Sequence, residues 1–390
     1  MGGSAARLVL SPTFPPAVPI VLAPMAGVTT AAYRQLCREQ AELGAAGARP
    51  AGLFVCEMIT SRAVVERVPR TLAMVTFDPG DPVRSVQLYG VDPQTMAGAV
   101  RILCGELGVT HVDLNFGCPV PKVTRRGGGG VLPWKRDRLA AILRAAVRAA
   151  EPYQVPVTIK TRMGIDDQHL TYLDAGRIAE DCGVAAITLH ARTVQQAYGG
   201  HAAWDAIATL VGHVRIPVLG NGDVWEAPDA VRMMRQTGCA AVVVGRGCLG
   251  RPWLFRDLAA AFSGGEVTTL PTLGEVCQTV RRHAELLAAQ FGQQSGLTDL
   301  RKHLAWYFKG FPIGGETRRA LGRVSTRAEL DELLAPLDPA TPFPVTELGV
   351  PRGRQGTPRG RVILPYGWLD STTLDEAADL SDAESDVSGG

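Results

Sequence analysis

The segment Asn115-Phe116-Gly117-Cys118-Pro119-Val120-Pro121-Lys122-Val123 leaves an apolar run and enters Arg125-Arg126-Gly127-Gly128-Gly129-Gly130. Cys118 is the one cysteine flanked by turn formers instead of apolar periodicity, so it reads as an exposed, loop-borne thiol beside cations. Such surroundings suit a thiolate or a proton donor. The four glycines predict a mobile lid or close backbone approach by a ligand. Lys160 ends the apolar run Val157–Lys160, where burial of an unpaired ammonium is costly unless it has a use. Two uses fit: a Schiff-base nucleophile of class I aldolase type, or a cation beside the negative charge of a reduced flavin. Gln87, both donor and acceptor, suits the amide-like edge of an isoalloxazine ring, and the apolar Pro24-Met25-Ala26 turn suits its face. Gly220-Asn221-Gly222-Asp223 and Gly245-Arg246-Gly247 suit a phosphate, through glycine-freed N–H groups and a charge-assisted contact from Arg246. His190 either contacts that phosphate or caps its strand.

Positioning these groups together requires particular elements. Short apolar runs alternate with helical patterns, the rhythm of parallel βα units. Candidate strands are Ile20–Ala23, Leu53–Glu57, Ser85–Leu88, His111–Asn115, Val157–Lys160, Ala186–His190, Val218–Gly220 and Ala241–Gly245. Helices are expected at Arg138–Ala150 and at Tyr172–Asp181, the latter stopped by Gly183. Eight such units fit a (β/α)8 TIM barrel, whose usual length is ~250 residues. A doubly wound sheet would show G-x-G-x-x-G after its first strand, and here that strand runs into Ala23-Pro24-Met25-Ala26-Gly27. The strands' C-terminal ends carry Pro24-Met25-Ala26, Glu57, Gln87, Asn115 with Cys118, Lys160, His190, Asn221-Gly222-Asp223 and Gly245-Arg246. In a barrel these converge on one mouth.

Beyond Phe262-Ser263-Gly264-Gly265 the pattern is purely helical, with helices expected at Leu273–Gln290 and Leu297–Lys309. A small all-helical C-terminal domain therefore follows the barrel. From Arg301 to Arg327, the bases Arg301, Lys302, Lys309, Arg318, Arg319, Arg323 and Arg327 stand against Glu316 alone, interleaved with Trp306 and Tyr307. A basic helical face fits RNA phosphates, with Trp306 as core. The predicted boundaries are 1–13 for an N-terminal extension, 14–262 for the barrel, 263–337 for the helical domain and 338–390 for a largely disordered tail. That tail is first basic and then acidic, with local docking allowed for Val362–Leu369.

The net charge of +2 hides that acidic end, Asp370 onward, so the body is the more basic part. The eight cysteines contain no C-x-x-C pair. No metal site is expected, and reduced thiols in a cytoplasmic protein are. No apolar run approaches the ~20 residues that span a bilayer, so no membrane partner is expected. Oligomeric state is left open, with a monomer compatible.

APMAGVT (23–29), QLYG around Gln87, DLNFGCPVPKV (113–123), IKTRMG around Lys160, LHAR (189–192), NGD (221–223) and GR (245–246) resemble the bacterial tRNA-dihydrouridine synthases over about residues 14–337. RKHLAWYFKG (301–310) resembles that family's tRNA-contacting helix. The resemblance implies FMN held by Pro24, Met25, Ala26, Gln87, Lys160, His190, Asn221, Gly222, Asp223, Gly245 and Arg246. It implies NADPH as reductant, hydride passing from the flavin to C6 of a tRNA uridine, and a proton from Cys118 to C5. Asn115 would position the uracil and Arg192 would touch it. The rivals are a small-molecule FMN oxidoreductase of dihydroorotate-dehydrogenase type, which leaves the helical domain idle, an aldolase, and a non-catalytic RNA-binding module.

Overall fold

A computed structural model describes residues 18–45, 47, 49–265, 268–353, 356 and 360–374. The N-terminal extension, Arg354, Arg359 and the acids from Asp375 onward lie outside the described residues.

Among the described residues, short apolar runs form nine parallel strands: β1 (Ile20–Leu22), β2 (Leu53–Phe54), β3 (Met58–Thr60), β4 (Ser85–Tyr89), β5 (His111–Phe116), β6 (Val157–Arg162), β7 (Ala186–His190), β8 (Val218–Asn221) and β9 (Ala241–Val244). Their order is β2-β1-β9-β8-β7-β6-β5-β4-β3. The single strand expected at Leu53–Glu57 is instead two pieces, β2 on β1 and β3 on β4. Between them the Val55 N–H donates to the Leu22 carbonyl at 3.4 Å and the Cys56 N–H to the Ser85 carbonyl at 3.0 Å. The chain changes neighbours there, and the sheet's two edges are successive parts of one connection. This is the α/β barrel expected from the sequence.

Period-two alternation sorts the side chains. On β5, Val112, Leu114 and Phe116 enter the core under the helices, so His111, Asp113 and Asn115 face inward. On β6, Val157 and Ile159 do the same, which sends Thr158, Lys160 and Arg162 inward. The barrel interior is otherwise filled by small apolar groups, including Val21, Ala23, Leu53, Ala186, Leu219, Ala241 and Val243. Beneath the mouth the interior also holds a buried polar cluster, Ser85, His111, Asp113 and Thr158, joined by hydrogen bonds.

The helices Leu273–Phe291, Gln293–Tyr307, Gly315–Leu321 and Arg327–Leu334 pack around Val276, Val280, Leu287, Leu300, Leu304 and Leu330. Capping boxes start the first (Thr272 with Glu275) and the last (Thr326 with Glu329). The second begins four residues earlier than the expected Leu297. Gly296 lies inside it because a Cβ there would sit 2.6 Å from the Leu287 carbonyl carbon, so glycine lets the two helices touch. Gly250 admits the Trp306 backbone equally closely. That contact lays the Gln293–Tyr307 helix against the barrel mouth. From the tail, the Arg352 guanidinium donates to the Leu249 and Trp306 carbonyls, both at 3.2 Å. Val362 and Trp368 bury against Val131, Ile165 and Val194. Among the described residues, no helix is long and apolar enough to cross a membrane.

Candidate active site

The mouth holds a cavity of about 500 Å³, within the range usual for small-molecule and cofactor sites. Pro24, Met25, Ala26, Gln87, Lys160, His190, Asn221, Gly222, Asp223, Gly245 and Arg246 all line it, as do Asn115 and Cys118. The residues singled out at the strand ends thus meet in one place.

A hydrogen-bonded chain fixes the amides. Asp113 accepts from Thr158 Oγ1 at 2.6 Å and from Gln87 Nε2 at 2.7 Å. Gln87 Oε1 accepts from Asn115 Nδ2 at 2.8 Å. Asn115 Oδ1 in turn accepts the N–H groups of Gly117 at 3.0 Å and Cys118 at 2.9 Å. The thiol's backbone is therefore tied to the barrel floor.

The cavity's charge is positive. Burial lowers Lys160 to about 7, helped by Arg162 and opposed by Asp113 and Cys118. Burial also holds His190 well below its ordinary value, and the surrounding cations Arg162, Lys160, Arg192 and Arg246 add to this, so the ring is neutral. Arg246 lies between the rings of Tyr198 and Trp225, at 5.1 and 5.2 Å. Asp223, the one acid among the described residues that line the cavity, is already engaged. It takes Arg192 Nη2 on both oxygens at 2.8 and 2.9 Å, and the Ala202 N–H at 2.7 Å.

Several expectations change here. Arg192, expected to touch substrate, is 1% exposed, and its guanidinium goes to Asp223 and the Gly199 and Gly200 carbonyls. It braces the Asp223 turn, where the backbone is left-handed with φ 54°, and does not line the cavity. The glycine run is a packed element and not a mobile lid. A Cβ on Gly127, Gly129 or Gly130 would meet Trp368 at 2.5 Å, the Cys118 carbonyl at 2.7 Å or Val194 at 2.5 Å. The backbone that approaches closely is met by the protein itself. Cys118 is half-buried, while the other seven cysteines are buried. Glu57 is turned from the cavity and accepts the Gly27 N–H at 2.7 Å, which anchors the Pro24–Gly27 turn.

The basic helical face is also partly internal. Arg301 donates to the Val324 carbonyl at 2.8 Å, and Arg318 to the carbonyls of Phe308, at 3.0 Å, and Phe311. Lys302 pairs with Asp299, and Lys309 with Glu347 at 2.8 Å. Arg319 and Arg323 are exposed and form no ion pair among the described residues. Trp306, expected in the helical core, lines the mouth cavity.

Arg162 is a further cavity residue, one that the sequence motifs do not single out. It lines the cavity and donates to the Gly117 carbonyl at 2.8 Å and to those of Thr193 and Ala197 at 3.0 and 2.8 Å. Its signal was available, since it stands two residues after Lys160 and so on the same strand face. Tyr198 and Trp225 carried no comparable signal.

A parallel barrel with cations, neutral amides and a thiol around one mouth cavity has the site architecture of a barrel enzyme. A family model described as dihydrouridine synthase matches residues 21–340. The chain is 57% identical over 369 residues to the "Probable tRNA-dihydrouridine synthase" of Mycobacterium tuberculosis, covering 93% of each chain. It is 38% identical over 330 residues to the tRNA-dihydrouridine synthase B of Xanthomonas axonopodis, covering 82% of this chain and 95% of that one. Among solved structures, histamine dehydrogenase from Rhizobium sp. 4-9 gives a TM-score of 0.50 at 10% identity, covering 86% of this chain and 65% of that one, a likeness of fold alone. The chain belongs to the dihydrouridine synthase family of oxidoreductases.

Proposed function

We propose that this protein reduces the C5–C6 double bond of a uridine in tRNA, with FMN in the mouth cavity and NADPH as reductant. The observation that carries this is that Cys118 opens into the same cavity as Gln87, Lys160 and Arg246. The donor set fits FMN. Arg246 and Lys160 give an anion its counter-charges, and the acid in the cavity lining, Asp223, is already paired with Arg192. Gln87 offers its second Nε2 hydrogen to a neutral amide-like ring edge, and Pro24, Met25 and Ala26 offer an apolar wall. Gly222, Gly245, Asn221 and His190 complete the binding set.

When bound, the flavin supplies hydride to C6 of the uracil. Cys118 holds at Sγ the proton destined for C5. Asn115 has given its Oδ1 to two backbone N–H groups and one Nδ2 hydrogen to Gln87. Its other Nδ2 hydrogen remains to orient a uracil carbonyl. Arg162, by gripping the Gly117 carbonyl, keeps the thiol's loop in place. The purified protein is expected to be yellow, and heat to release one FMN per chain. Colourless protein that also fails to bind added FMN would end this assignment.

The helical part, residues 263–337, serves in this proposal as the tRNA-binding domain, and the protein works where tRNA is matured, in the cytoplasm. Arg319 and Arg323 are its exposed phosphate contacts. Reversing both to Glu is expected to weaken tRNA binding and lower the slope of log affinity against log salt by roughly 2, one counterion per lost contact. Flavin reduction by NADPH is expected to continue. A salt titration with the wild-type slope would remove these arginines from the interface. Arg318 is unsuited to this test because it satisfies the Phe308 and Phe311 carbonyls.

A further inference from the structure

Asp113 does not line the mouth cavity. It lies beneath it, 4% exposed, at the centre of a chain of side chains from β4, β5 and β6. We propose that Asp113 is a positioning residue that sets the direction of the hydrogen bonds running from the barrel floor through Gln87 and Asn115 to the backbone of the Cys118 loop. Asn115 and Cys118 owe their placement to it. The inference rests on the proposed role of Cys118 only for its consequence in the reaction; the geometry stands without it.

The direction follows from what each group is able to do. Burial raises Asp113 above the ordinary carboxylate value, while the hydrogen bonds from Thr158 and Gln87 and the charge of Lys160 favour its ionised form, and in that form the carboxylate accepts and never donates. Thr158 Oγ1 and Gln87 Nε2 both stand at hydrogen-bond distance from Asp113, at 2.6 and 2.7 Å, so both must donate. With its nitrogen committed to Asp113, Gln87 presents Oε1 to Asn115, which must then present Nδ2. Asn115 Oδ1 is left facing the N–H groups of Gly117 and Cys118. An amide flipped at either residue would set N–H against N–H at the next link. The same constraint runs the other way. The single hydroxyl hydrogen of Thr158 goes to Asp113, so His111 donates from Nε2 to Thr158 at 3.0 Å, and its Nδ1 accepts from Ser85 at 2.7 Å. Burial pushes His111 down to about 3, which keeps the ring neutral with the one N–H this pattern needs.

Asparagine at position 113 has nearly the same shape but carries a donor. One neighbour must then reverse, and the order reaching Cys118 is no longer imposed. Moving the carboxylate to the next link restores it. In the pair Asp113→Asn with Gln87→Glu, Thr158 donates to the oxygen of the new amide, whose nitrogen donates to the new carboxylate. Asn115 Nδ2 donates to the other oxygen of that carboxylate. Asn115 Oδ1 again faces the Cys118 backbone, and the charge of the cluster is unchanged.

The test is the rate of iodoacetamide alkylation of Cys118 in the folded protein, followed by peptide mass spectrometry; the other seven cysteines are buried. Asp113→Asn should raise that rate roughly fivefold, the effect of losing one net hydrogen bond that holds the loop closed. The pair should return it to within about twofold of wild type, as expected for residues coupled through one network. A protein in which Asp113 merely fills space would gain nothing from the second change. Gln87→Met cuts the same chain without touching Asp113 and should also accelerate alkylation, which keeps the test available if Asp113→Asn does not fold. Wild-type rates in the single variants, or an acceleration the pair does not reverse, would overturn the inference. If alkylation behaves as stated but Cys118→Ala still reduces tRNA normally, the geometry holds and the proposed role of the thiol fails.

Discussion

Cys118→Ala is expected to slow single-turnover reduction of uridine in tRNA by about 10²–10⁴-fold, the usual contribution of a general acid. Oxidation of NADPH by the loaded enzyme should continue near the wild-type rate, because it uses no proton aimed at a uracil. Affinity for tRNA should also persist, since the exposed cations Arg319 and Arg323 stand in a separate part of the chain. The prediction is specific to this thiol. Cys118 alone among the cysteines is half-buried, lines the cavity, and has its N–H held by Asn115 at 2.9 Å. The measurement is a rapid-mix reaction of pre-reduced enzyme with saturating tRNA, read by flavin reoxidation. Reoxidation at the wild-type rate in the alanine variant would reduce Cys118 to a loop residue and require another acid.

The barrel and most of its rim were legible because strand periodicity is a short-range property. Once His111–Asn115 and Val157–Lys160 are strands, alternation alone sends Asn115 and Lys160 to the side away from Val112, Leu114 and Ile159. What remained illegible depends on partners far along the chain. Arg192 follows a strand end as a ligand contact would, yet its guanidinium meets Asp223, 31 residues on. No local pattern announces that pairing. Leu53–Glu57 reads as one strand because a single run carries no record of which neighbours it pairs with, and here it pairs with two in turn. The glycine run shows a limit of a different kind. A sequence shows that Cβ atoms are missing but not what fills their places, and at Gly127 that is Trp368. The basic face was overcounted for a related reason: charges are countable in sequence, whereas the carbonyls that occupy Arg301 and Arg318 are not.

Affinity for FMN is expected to fall as pH rises above about 7, and Lys160→Met is expected to abolish that dependence. In the free protein burial lowers Lys160 to about 7 from an ordinary 10.5, with Arg162 opposing its charge and Asp113 and Cys118 favouring it. The FMN phosphate, an anion bound in the same cavity, favours the ammonium and raises its pKa again. Below pH 7 the free protein already carries the proton, so binding needs none and affinity is full. Above pH 7 each binding event takes up a proton, and affinity drops by up to about tenfold per pH unit until the pKa of the bound state is reached. His190 adds no second step, because burial and the cations around it keep it neutral across this range. The ligand adds none either, since a phosphate monoester's second ionisation, near pKa about 6, is complete there. Lys160→Met removes both the proton uptake and the counter-charge, so its affinity should be weaker at neutral pH and level from there upward. Titration of flavin-free protein by quenching of FMN fluorescence, in steps upward from about pH 7, measures the slope directly. A level profile in the wild-type protein would mean that Lys160 does not face the anionic ligand, and the counter-charge would then have to come from the other cavity cations, Arg246 and Arg162.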